Sequence, residues 1–116
     1  MKFYYHEVFK KNTKRLAKKY ASLPNDLQTL ENELKENPEK GVIVHNTREV
    51  RKIRMAIKAK SKGKSSGARI LYYIIKENYD IVFLNIYDKS ELEKVPEKDI
   101  KILLETFLET FSNEKM

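Results

Sequence analysis

The stretch from Ala68 to Tyr87, ARILYYIIKENYDIVFLNIY, constrains the fold more than any other part of the chain. It carries two short apolar runs rich in β-branched and aromatic residues, separated by the turn residues Glu77-Asn78-Tyr79-Asp80. Runs of this length and composition, bounded by turn signals, predict strands over Ala68 to Ile75 and Asp80 to Tyr87. Upstream, Val50 to Ile57 and the fragment Val42-Ile43-Val44 have the same character. Sequential strands with short links predict an antiparallel meander.

The flanking segments change period. Lys2 to Tyr5 suits a short N-terminal strand. From Glu7 to Tyr20, Phe9, Leu16, Ala17 and Tyr20 recur at helical spacing, with lysines and Arg15 filling the other positions. This predicts an amphipathic helix with a basic outer face. Leu27, Leu30 and Leu34 mark a second helix, with Asn25 or Asp26 as cap and Asn37-Pro38 as terminator. After Pro96, the residues Ile100, Leu103, Leu104, Phe107, Leu108 and Phe111 follow the i, i+3, i+4, i+7 pattern of a C-terminal helix packed on the domain. The predicted fold is therefore α+β: two N-terminal helices packed on one face of a twisted, mainly antiparallel sheet, and a C-terminal helix. At 116 residues it should be a single domain over 1–116, with its site in a surface groove and the second sheet face free to bind.

Charge narrows the function. Residues 48 to 69 hold nine Lys/Arg against one acid, and residues 1 to 20 hold seven against one, while the remainder has eight basic and fifteen acidic residues. Cations gathered in this way point to a polyanionic partner, with nucleic acid foremost. No apolar run approaches the roughly 20 residues that span a bilayer, and the N-terminal residues are charged where a signal peptide would be apolar. A soluble, cytoplasmic chain without membrane contact is expected. There is no Cys, and His6 and His45 are isolated, so neither a metal site nor another cofactor is expected. Gly63-Lys64-Ser65 lacks the glycine spacing of a nucleotide-binding loop and opens no helix. A lone histidine such as His45 is more often a surface residue than a general base.

Alternation assigns jobs within the basic segment. Ile53 and Met55 face the core, so Lys52 and Arg54 point together to the other face, and the partner strand adds Arg69. Cations converging on one sheet surface can hold a phosphodiester and stabilise charge developing in phosphoryl transfer. Charge that protects an exposed strand edge is the bland alternative for any one of them. Lys58, Lys60, Lys62 and Lys64, alternating with Ala, Ser and Gly, are expected to form a flexible loop that tracks a nucleic-acid backbone without reading sequence. Of the seven tyrosines, Tyr73 and Tyr87 lie near the cationic strand ends and are the candidates for base contact.

The succession RKIRMAI, a Lys/Ser/Gly-rich loop, GARILYYI and DIVFLNIYDKSELEKVPEKDIKIL resembles the RelE/HigB family of bacterial toxins, in particular its phage-type HigB-like branch. The basic first helix, LAKKYASLPNDLQTLENEL and ENPEKG follow the family's order, so nearly the whole chain is covered. The resemblance implies a ribosome-dependent mRNA endonuclease acting in the ribosomal A site. A cognate antitoxin, expected to be a helix-turn-helix protein, would hold it inactive. It implies cleavage without metal, by attack of the ribose 2'-hydroxyl on the adjacent phosphate. By position, the family's basic pair on the central strand falls on Lys52 and Arg54, its phosphate-stabilising arginine on Arg69, and the basic residue ending the last strand on Lys89. The implied roles are Lys52 as base or electrostatic stabiliser, Arg54 and Arg69 as phosphate clamps, and Lys89 as acid. The C-terminal tyrosine of some RelE proteins has no counterpart in Glu91 to Pro96, which leaves Tyr87, or Lys52 and Lys89, for proton transfer. A gyrase-inhibiting toxin of the ParE type and a non-enzymatic RNA-binding module are the alternatives.

Overall fold

The β-rich half of the chain builds four neighbouring strands, and the N-terminal strand joins them from far away in sequence. The computed structural model describes residues 1–61 and 63–115, so Lys62 lies outside the described residues. The elements are β1 (Phe3–Tyr5), α1 (Glu7–Lys19), α2 (Leu23–Glu36), β2 (Val42–Ile43), β3 (Arg51–Met55), β4 (Ala68–Ile75), β5 (Asp80–Asp88) and α3 (Glu97–Lys115), with single 3-10 turns at Lys58–Lys60 and Lys64–Ser66. The sheet order is β1-β5-β4-β3-β2. The segment β2 to β5 is the expected antiparallel meander, and β1 adds a parallel edge on β5.

Two cores form, one on each sheet face. Phe9 and Leu16 of α1 and Leu23, Leu30 and Leu34 of α2 pack on Ile53, Met55, Ile70, Tyr72, Phe83 and Ile86. On the other face Val50, Leu71, Val82, Leu84 and Tyr87 pack against Ile100, Leu103 and Leu104 of α3. The expectation of a second face left free is corrected by this packing. Leucines at helical spacing on α3 need an apolar surface, and the β4–β5 half supplies it. At the far end of that face exposed Arg54 and half-buried Lys52 stand beside buried Arg69.

The second helix starts earlier than the cap signal suggested, at Leu23, because Pro24 is tolerated in a first turn. Asp26 is instead turned inward and buried, where it accepts hydrogen bonds from Ser22 Oγ and the Lys58 backbone N–H.

A bulge in β5 sets which side chains reach the site. Leu71 pairs with Asn85 and Tyr72 with Phe83, so Leu84 is the extra residue. The Asn85 carboxamide oxygen accepts from Asn12 Nδ2 and the Ile86 N–H, which holds the kink. Beyond the bulge the alternation is reset, so Leu84 and Tyr87 both lie on the α3 face and Ile86 lies on the α1 face. Gly67, just before β4, packs so tightly that a Cβ there would collide with the Met55 carbonyl oxygen.

His6 ties α1 to α3. Its Nδ1 accepts from the Val8 N–H at the N-terminus of α1, so Nε2 carries the proton that is donated to Thr106 Oγ1 at 2.8 Å. Burial holds the imidazole below its ordinary pKa of 6.5, against smaller opposing effects of Glu7 and a hydrogen bond to the Leu103 backbone. Because the folded value is the lower one, the stabilisation from neutral His6 is complete above 6.5 and is lost as pH falls through the folded pKa. The melting temperature should therefore drop on mild acidification, as read by scanning fluorimetry. The substitution His6→Asn, which keeps a capping acceptor, should remove that step.

Candidate phosphate site and nucleic-acid interface

The register places Arg54 directly opposite Arg69, and Arg69 directly opposite Tyr87 on its other side. Lys52 lies two pairs along on the same face, opposite Leu71. Cross-strand partners share a face, so Lys52, Arg54, Arg69 and Tyr87 lie on one face at the end of the sheet, with Arg54 exposed, Lys52 half-buried, and Arg69 and Tyr87 buried. Like charges directly opposite each other destabilise a sheet. Among the described residues no carboxylate forms an ion pair with Lys52, Arg54, Arg69 or Lys94.

The individual environments differ. Arg54 is exposed, whereas Arg69 is only 7% exposed. The Arg69 guanidinium donates from Nη1 to the carbonyls of Lys64 and Ala68 and from Nη2 to that of Ser65 at 2.9 Å. Arg69 thus organises the Lys64–Ser66 turn beside it. Partial burial, followed by the charges of Arg69, Lys89, Lys94 and Arg54, pushes the Lys52 ammonium below the ordinary lysine range. Burial raises the Tyr87 hydroxyl, with Arg69 partly offsetting it, so that the phenol is held protonated.

The end of β5 delivers the last two cations. The Lys89 N–H donates to the Gly67 carbonyl, which carries the β4–β5 pairing one step further. The Glu91 and Leu92 N–H groups both return to the Asp88 carbonyl, turning the chain back so that Lys94 joins Lys89 in acting on Lys52. Lys89 also lies 3.7 Å from exposed Glu93. Lys94 is the residue that sequence reasoning missed. It stands in what reads as a mixed-charge linker before Pro96, and only the turn over Asp88 reveals its position.

The described residues of the basic loop form two short turns. The Lys58 and Ala59 N–H groups donate to Asp26 Oδ2 and Ser22 Oγ, docking the Lys58–Lys60 turn on the start of α2. Lys58, Lys64 and Arg54 line a cleft of about 80 Å3 together with the acidic Asp26 and Glu33. Lys60 stands apart: its ammonium is paired with buried Asp88, and its side chain is 11% exposed. The reading of Lys60 as a free docking cation is corrected accordingly, since buried Asp88 holds a counter-charge there. Tyr73 packs against the α3-side core and lines a separate cleft with Glu39, Glu49, Arg51, Lys76 and Tyr79, away from the cationic cluster. His45 is exposed in the loop after β2. Among the described residues no three His, Cys, Asp or Glu side chains gather to hold a metal ion, and no helix is long and apolar enough to cross a membrane.

The helix pair, the meander, the parallel β1 and the C-terminal helix form a RelE-like α+β fold. The chain is similar to the solved structure of the free E. coli toxin RelE in a variant with two arginine-to-alanine substitutions, with a TM-score of 0.57 and 19% identity over 79% of this chain and 86% of that one. No protein-family model matches the sequence.

Proposed function

We propose that this chain is the toxin of a type II toxin–antitoxin pair, of the HigB-like branch, and that it is an endoribonuclease cutting mRNA in the ribosomal A site. The observation that carries the reading is the convergence of Lys52, Arg54, Arg69, Lys89 and Lys94 on one sheet end without a paired carboxylate on Lys52 or either arginine among the described residues. Such a surface is incomplete without an anion, and a phosphodiester supplies one.

In the proposed reaction neutral Lys52 takes the proton of the ribose 2'-hydroxyl. The O2'–P bond forms, and Arg54 and Arg69 offset the added negative charge on the phosphorane oxygens. The P–O5' bond then breaks, and the ammonium of Lys89 gives its proton to the departing oxygen. The products are a 2',3'-cyclic phosphate and a 5'-hydroxyl. Metal is not required by this scheme, because the cations do the work of charge neutralisation. Burial, and after it the clustered positive charge, lowers the Lys52 pKa and so favours the base role over purely electrostatic stabilisation. Lys58 and Lys64 hold RNA or rRNA by backbone charge, and Lys62 joins the same basic segment in the sequence. A helix-turn-helix antitoxin is the proposed inhibitor, and the cytoplasm, where ribosomes are, the proposed location.

Purified chain should cut mRNA on programmed ribosomes and leave 5'-hydroxyl and cyclic or 3'-phosphate ends, with far less cutting of the same mRNA free in solution. Binding to ribosomes with no new ends would overturn the reading in favour of an RNA-binding module.

A further inference from the structure

Asp88 is fully buried at the end of β5, and the scheme above gives it no role. Its Oδ2 accepts from Tyr20 OH at 2.6 Å, and its Oδ1 accepts from Lys60 Nζ, the Ser90 N–H and Ser90 Oγ. Burial alone would raise this carboxyl, but the hydrogen bonds from Lys60, Tyr20 and Ser90 hold it well below the usual carboxylate range. The Lys60 ammonium also donates to the Ser66 carbonyl at 2.7 Å and lies 5.5 Å over the Tyr20 ring. The carbonyls of Lys64 and Ser65, in the same turn as Ser66, receive the Arg69 guanidinium. A continuous set of contacts therefore runs from Asp88 through Lys60 and the Lys64–Ser66 turn to Arg69. The residue after Asp88 is Lys89.

We propose that Asp88 is a positioning residue: it withdraws Lys60 from the docking surface and uses it to clamp the basic loop, which orients Arg69 and Lys89 toward one phosphate. This rests on the functional reading above and adds to it a division of labour among the loop lysines. A buried ion pair is costly to desolvate and gives weak net stability, so a role in geometry accounts for it better than a role in stability.

The test is the neutral isostere Asp88→Asn, compared with wild type for binding of a fluorescein-labelled single-stranded RNA across salt concentrations and for single-turnover cleavage on ribosomes. Releasing the Lys60 ammonium should tighten RNA binding and steepen its salt dependence by about one phosphate contact. Cleavage should nevertheless slow by roughly tenfold or more as the donors lose their geometry. A merely structural residue would lower affinity and rate together, and that result, or no change in either, overturns the proposal.

If Asp88→Asn does not fold, the double variant Lys60→Gln with Asp88→Asn removes both charges. It should bind RNA with the wild-type salt dependence and still cleave slowly. Wild-type cleavage by the double variant, or its failure to fold, leaves Asp88 a structural role only and overturns the proposal. Should the wild-type chain cut no RNA at all, the functional reading fails separately. The clamp is then judged by proton exchange at the Arg69 guanidinium, which Asp88→Asn should accelerate and which an independent Arg69 would leave unchanged.

Discussion

Substituting Lys52→Met is expected to lower single-turnover cleavage by about 10²- to 10⁴-fold, the range for loss of a positioned general base. Folding should be unaffected, because Lys52 makes no ion pair among the described residues and its neighbours are cations. The sign of the pH dependence follows from the same neighbours. Neutral Lys52 is the active form, and burial with the charges of Arg69, Lys89, Lys94 and Arg54 favours that form. The wild-type rate should therefore rise with pH on a limb whose apparent pKa lies below the ordinary lysine value of 10.5. Removing one of those charges with Lys94→Met should move the limb upward, so that the rate falls most at neutral pH and recovers in base. Rapid-quench rates over a pH series check this directly. A limb that stays where it was in Lys94→Met would assign Lys52 a purely electrostatic role.

Arg69→Ala should have two effects that separate in measurement. Cleavage should fall by about 10²- to 10³-fold, as when one preorganised donor to a developing charge is removed. Stability should fall by about 1–3 kcal/mol, because the carbonyls of Lys64 and Ser65 lose their donors. Arg54→Ala provides the contrast. Arg54 is exposed, faces Arg69 across the strand pair and has no acidic partner among the described residues. Its removal should reduce cleavage while leaving the melting temperature unchanged or raising it, since a like-charge cross-strand pair is relieved. Equal loss of stability in both variants would contradict the distinct environments assigned to the two arginines.

The meander and the facing of Lys52 and Arg54 away from Ile53 and Met55 were legible because both rest on local period two, which survives packing. Four features were not legible, each for a physical reason. The partner of Phe3–Tyr5 is β5, and nothing in three residues encodes a parallel pairing so far along the chain. The bulge at Leu84 and Asn85 depends on the Asn12 side chain from α1, so alternation by itself mislocates everything after it. Lys60 reads as one more loop lysine, because its counter-charge Asp88 is 28 residues away and hidden in a run that reads as strand. Lys94 was lost in the same way, since a return of the chain over Asp88 has no local sequence signature.

The proposed activity is cleavage of RNA by the cations at the sheet end. Its most direct measurement is genome-wide mapping of 5'-hydroxyl RNA ends after brief induction of the chain in cells, wild type beside Lys52→Met. New 5'-hydroxyl ends should appear within translated regions for wild type and nearly disappear in Lys52→Met at equal protein level. Growth arrest by both proteins with no new ends in either would contradict it.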